Sequence, residues 1–253
     1  MLKTQDREIF LNKAIKLIEL HQTGKLGGEI MPEDKNPGYS LGSKENYLYF
    51  TLPMALNYQR NAYKLWESAY ETASDSLVAD VFDPQKVIAM TEEKLREKLV
   101  KHKVALQMNK QTAIWQRLCQ TFTKDFNGDV RELFKRTNYS VTEIKTYMLA
   151  HKKDFPYLSG NKIMNYWLYV MTQYTDLKLV DRENISVAPD TNVIQASLKL
   201  AIITEEEYNS SQVQQIVAEC WQEIFSESQY EAIDIHTPLW LWTRSKFAYF
   251  EEL

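Results

Sequence analysis

Glycine and proline are scarce, seven of each in 253 residues. Five of the seven glycines fall between Gly24 and Gly42, which leaves the rest of the chain with little turn punctuation and favours long helices. Two cysteines, Cys119 and Cys220, are too few for a four-thiolate zinc or iron–sulfur site. Such sparse cysteine fits a reducing compartment. No apolar run approaches the length that spans a bilayer. The N-terminal stretch "MLKTQDREIF" is charged and lacks a signal-peptide core, so a cytoplasmic protein with no membrane partner is expected. A basic excess is missing too. The net charge of −4 argues mildly against a nucleic-acid partner, although a local basic patch sets the field at a contact. There is no phosphate loop of the Walker type, no GxGxxG, no HExxH and no GxSxG. The four histidines, His21, His102, His151 and His236, are too scattered to suggest a metal site. No cofactor is expected.

What is present is helical periodicity. Hydrophobic residues make up 44% and charged residues 25%, ordinary for a globular chain that can bury its own core. Phe10, Ala14 and Leu17 share a stripe with Leu11, Ile15 and Ile18, which predicts a first helix. The Gly- and Pro-rich run 22–43 has no apolar period and reads as an extended arm. From Glu45 the helical pattern returns and stays. "ENYLYFTLPMALNYQRNAYKLWESAYE" predicts one long helix or a kinked pair, with Pro53 bending it or marking its start. Asp83 and Pro84 read as an N-cap and first helical position. Gly128 closes a long amphipathic helix, and Ser140 with Glu143 has the spacing of a capping box. "NKIMNYWLYVMTQYT" is apolar enough to be a buried helix. No segment alternates as a strand does, so the expected class is all-α.

Two short segments could carry chemistry. In "YLSGNKIMNYW", a turn at Gly160 delivers the N-terminus of the buried helix, where exposed N–H groups can hold a phosphate. Lys162 sits in the first turn, a position where the helix dipole disfavours a cation. In "ISVAPDTNVIQAS", Asp190 opens another helix. Each has a bland alternative. Asp190 can be a cap alone, worth roughly 1 kcal/mol. Lys162 can be a solvated lysine, and Trp167, Trp240 and Trp242 can be core.

The order of these pieces resembles the helix-hairpin-helix DNA glycosylases typified by endonuclease III. That family carries a hairpin of the form L-P-G-V-G-x-K, followed by V-D-T-H. "YLSGNK" lines up with the hairpin and "APDTN" with the second motif. "LYFTLPMALNYQRNAYKLW" resembles the family's early helix and the turn after it, and "NKQTAIWQRLCQTFTKDFNGDV" the helix and Asn-Gly turn before the hairpin. The match covers roughly 45–203. It departs from the family in five ways. Leu158 stands for the first hairpin glycine and Tyr157 for the proline. Asn192 replaces the histidine after D-T. "TDLKLVDRENIS" is an extra stretch, and the C-terminus has no iron–sulfur motif.

The resemblance implies two helical lobes with a cleft between them, residues 1–46 with 186–253 as one lobe and 47–185 as the other. It implies a monomeric enzyme that takes damaged double-stranded DNA and cleaves an N-glycosidic bond in base excision repair. Lys162 would be the nucleophile of a glycosylase and AP lyase, and Asp190 the essential carboxylate. Asn57, Tyr58 and Gln59 would form the turn that reaches DNA. Gly160, Asn161, Trp167, Asn192, Trp240 and Trp242 would contribute to substrate binding. Two other readings stay open: an N-glycosidase of the same fold acting on a modified nucleotide or nucleoside, and a non-catalytic nucleic-acid-binding module.

Overall fold

The computed structural model describes residues 4–26 and 30–252, so residues 27–29 of the expected arm lie outside the described residues. Among the described residues there are thirteen α-helices and no strand, only an isolated parallel bridge between Ser140 and Val180. The all-α class expected from the sequence is the class observed. Helix α1 spans Thr4–Gln22. A single 3-10 turn, Pro32–Asp34, interrupts the arm. Then follow α2 (Lys44–Ala55), α3 (Ala62–Ser74), α4 (Pro84–Ile88), α5 (Glu92–Lys101), α6 (Met108–Phe126), α7 (Arg131–Arg136), α8 (Val141–Ala150) and α9 (Asn161–Tyr174). The chain closes with α10 (Thr191–Lys199), α11 (Glu205–Tyr208), α12 (Val213–Phe225) and α13 (His236–Arg244).

Two compact units emerge, residues 31–181 and residues 1–30 with 182–253. The first holds α2 to α9 around an aromatic core. Phe134 stacks on Trp167 at 5.4 Å, Phe50 on Tyr174 at 5.0 Å and Tyr49 on Phe82 at 5.6 Å. Trp66, Trp115, Phe122 and Phe155 are fully buried there. In the other unit α1 packs on α12 and α13, and α10 on α13. Its buried face is built from Leu17, Trp221, Ile224, Leu239 and Trp242. Trp221 donates its indole N–H to Ser197 Oγ at 2.9 Å, so the large ring is buried with its polar atom satisfied.

Helix boundaries follow local chemistry. Asp83, Thr91, Ser140 and Asp190 each accept a backbone N–H two or three residues ahead, which satisfies a donor that the first turn leaves free. Asn127 and Gly128 both take positive φ, 52° and 73°, and Gly128 N–H reaches Phe122 O at 2.8 Å to close α6. Two expectations need correction. Pro53 does not mark a helix start: it sits in the last turn of α2, which ends two residues later at Ala55. A proline there costs one ladder bond in a helix that is already stopping. The capping box at α8 is only half formed. Ser140 accepts from Glu143 N–H, but the Glu143 carboxylate takes Asn138 Nδ2 at 3.0 Å instead of reaching back. Asp181 replaces it, accepting from the N–H groups of Val141 at 2.7 Å and Thr142 at 3.0 Å. Desolvation raises the Asp181 carboxyl, but the bonds from Thr142, Val141 and Ser140 outweigh it and hold the pKa below the ordinary carboxylate value.

Candidate active site

Lys162 is the second residue of α9 and is half-buried. The helix is delivered by a tight turn. Ser159 N–H bonds Phe155 O at 3.0 Å, and Gly160 N–H bonds Tyr157 O at 3.0 Å. Gly160 is the N-cap residue, with extended φ of −66° and no side chain to cap the helix. A Cβ there would meet Tyr157 O at 3.1 Å, so the turn is packed to glycine dimensions. Exposed Asn161 turns its carbonyl and its Oδ1 toward Asn165 Nδ2, at 2.8 and 3.0 Å. The left-handed residue of the turn is Tyr157, with φ of 64°; Leu158 beside it is fully buried. The conformational demand for glycine therefore falls one residue earlier than the hairpin alignment places it.

The tyrosine at that strained position is held by its far end. Its hydroxyl donates to Asn57 O, and its ring meets Tyr58 edge-on at 5.7 Å. Burial pushes the Tyr157 phenol up to about 12, so it stays protonated and a donor. The Asn57–Gln59 turn and the hairpin, about a hundred residues apart in sequence, thus share one surface of the 31–181 unit. Lys110 sits 4.3 Å from the centre of the Tyr58 ring. Gln59 is exposed, with φ of 47°. Buried Gln111 fastens the turn from behind, donating to Leu56 O at 2.8 Å while accepting from Leu106 and Gln107 N–H.

In the other unit Asp190 is half-buried at the N-cap of α10, and its Oδ1 accepts Val193 N–H at 2.9 Å. Its other oxygen, Oδ2, takes no part in that cap. Asn192 lies in the first turn, its carbonyl accepting from Thr243 Oγ1 at 3.0 Å, which ties α10 to α13. Trp240 is 7% exposed, with the Arg244 guanidinium 5.0 Å from its ring. Two of the candidate indoles are core. Trp167 is fully buried and donates to Thr51 Oγ1 at 3.2 Å; Trp242 is fully buried and donates to Ala248 O at 2.7 Å. Rings enclosed in this way fill volume and present no face to a ligand.

Several groups had no flag in the sequence. Glu33, in the arm, is buried to 1% exposure and accepts the Tyr166 hydroxyl at 2.7 Å through Oε1, while Oε2 is buried without a hydrogen-bond partner. Desolvation raises its pKa to about 7. Lys145 on α8 is lowered to about 8 by burial, against the pull of Asp181. Neither could be read from local pattern, because both shifts come from what packs over them. Among the described residues no three His, Cys, Asp or Glu side chains gather as a metal site would require, and no helix is long and apolar enough to cross a membrane.

Comparison with known proteins gives one kind of answer. No protein-family model matches the chain, and no curated protein matches it. Among solved structures it is similar to one described as a trapped endonuclease III–DNA covalent intermediate in an estranged-adenine complex. The TM-score is 0.55 at 15% identity, covering 97% of this chain and 88% of that one. The likeness is one of fold.

Proposed function

We propose that this chain is a DNA glycosylase of the helix-hairpin-helix type that removes a damaged base and cleaves the resulting site by lysine chemistry. The observation that carries the reading is the fold likeness over 97% of the chain to a protein trapped covalently on DNA; along the sequence, the Lys162 and Asp190 segments follow one another in the order of the family they resemble. In this reading the Lys162 amine attacks C1′ of the target nucleotide. The C1′–N bond breaks, the base leaves with the bonding pair and takes up a proton, and the sugar ring opens to a Schiff base on Nζ. Positive charge builds on the sugar as the bond breaks, and the Asp190 carboxylate stabilises it. The target base leaves the stack to be reached. The hairpin surface with Asn57, Tyr58 and Gln59 faces the DNA, and Tyr157 fixes the spacing between turn and hairpin.

The amine must be free to attack. The test is a panel of duplexes carrying an abasic site, uracil, oxidised purines, oxidised pyrimidines or alkylated bases, each treated with borohydride. A reduced covalent adduct that disappears in Lys162→Gln is the expected result. Intact bases and no adduct across the panel would sink the lyase chemistry. A net charge of −4 and the missing hairpin glycine favour a second reading, in which the same site cleaves a modified nucleotide. Turnover of free nucleotides with none of duplexes would select it.

A further inference from the structure

Beside the Asn57–Gln59 turn lies a groove of about 660 Å³ whose walls include Gln59, Arg60, Lys64, Lys101, His102 and Lys103. Its charges are unevenly matched. Glu67 pairs with Lys35 at 3.4 Å, and Glu71 faces His102 Nδ1 at 3.7 Å. Lys101 pairs with Asp75. The remaining cations have no such partner. Arg60 is anchored by neutral groups only, its Nη1 donating to Lys103 O at 3.0 Å and Val104 O at 2.8 Å, and its Nη2 to Lys64 O at 3.3 Å. Among the described residues, the exposed ammonium groups of Lys64 and Lys103 have no ion-pair or hydrogen-bond partner. The lining thus sets Arg60, Lys64, Lys101 and Lys103 against Glu67 and Glu71, and three of those cations have no carboxylate partner. The lining also includes Gln59, a residue of the turn that the proposed function directs toward DNA. Cations spaced along an open groove, with a guanidinium pinned at its base, suit a run of phosphodiesters better than a single compact anion.

We propose that this groove is a phosphate track for a nucleic-acid strand, extending the contact from the Asn57–Gln59 turn across the start of α3 and the end of α5. This rests on the DNA-directed reading above. The test is fluorescence anisotropy with a duplex carrying a non-hydrolysable abasic analogue, titrated from 50 to 200 mM salt. Lys64→Gln with Lys103→Gln is compared with the wild type and with a control pair outside the groove, Lys86→Gln with Lys94→Gln. Circular dichroism confirms that each variant is folded. The groove pair is expected to weaken binding several-fold at low salt and to reduce the slope of log K against log salt by about two, one counterion for each lost phosphate contact. The control pair is expected to leave the slope unchanged. An unchanged slope in the groove pair, with the wild type still binding, overturns the groove alone. An equal loss in the control pair also overturns it, since the effect would then be net charge. A wild type that binds no duplex at any salt overturns the DNA reading and the groove together.

Discussion

The helices that carry Lys162 and Asp190 begin in opposite ways. Helix α9 starts at Gly160, with no side-chain cap and a lysine where the dipole resists one. Helix α10 starts at Asp190, whose carboxylate caps Val193 N–H and suits the same dipole. The helix dipole gives no reason for a lysine at position 162, while the cap on Val193 N–H is a structural reason for Asp190. Chemistry is therefore easier to argue for the lysine than for the aspartate, and substitutions at the two positions should divide stability from activity differently.

The largest expected effect is on the lysine. Lys162→Gln should abolish the borohydride-trapped adduct and lower strand cleavage by a factor on the order of 10³. Removing a cation from the helix start is worth a few tenths of a kcal/mol, so thermal unfolding should change far less than activity. A matching loss of stability would make Lys162 a structural residue and remove the contrast. Asp190 needs two variants. Asn caps as well as Asp, so Asp190→Asn should keep stability within about 0.5 kcal/mol while base excision falls roughly 10²-fold. Asp190→Ala should lose both, with about 1 kcal/mol of stability. Full activity in the Asn variant would return Asp190 to its role as a cap.

A third prediction concerns what α9 grips further along. Tyr166 bonds buried Glu33, whose pKa is raised to about 7. A carboxyl raised in the folded state binds its proton more tightly there than in the unfolded chain. Stability is therefore highest below the unfolded value near 4.5 and falls as pH rises toward about 7. The loss should reach roughly 3 kcal/mol, since each tenfold difference in proton affinity between the two states is worth about 1.4 kcal/mol. Glu33→Gln should flatten that slope between pH 5 and 8 in denaturant titrations; a variant with the wild-type slope would place the titration elsewhere. The smallest effect belongs to the turn itself. Gly160→Ala keeps an allowed φ but brings its Cβ within 3.1 Å of Tyr157 O. It should cost no more than about 1 kcal/mol in chemical denaturation and should lower activity more than stability, by shifting the start of α9. An unaffected turnover would show that the turn tolerates a side chain.

The parts of the fold that were legible are those decided within a few residues. Asp83, Ser140 and Asp190 could be read as caps because a cap and its N–H donor are two or three positions apart. The burial of α9 could be read because the segment is apolar along nearly its whole length. The misreadings have the opposite cause. Glu143 has the spacing for a capping box, but Asp181, about forty residues away, supplies the second acceptor at α8. Leu158 stands at the position that the hairpin pattern gives to glycine, yet the positive φ falls on Tyr157, held by a hydroxyl bond to Asn57.

By itself, then, the sequence determined the helical class, several helix starts, and which two segments could bring a lysine and a carboxylate to helix N-termini. Those features depend on backbone donors and side chains close together along the chain. Tertiary structure decided the rest. It joined the Asn57–Gln59 turn to the hairpin, enclosed Trp167 and Trp242, drew Glu33 out of a polar arm into the core, and left Arg60, Lys64 and Lys103 without counterions around one groove. Each of these is set by desolvation and by partners tens to more than a hundred residues distant, and neither leaves a local signature in the order of the residues.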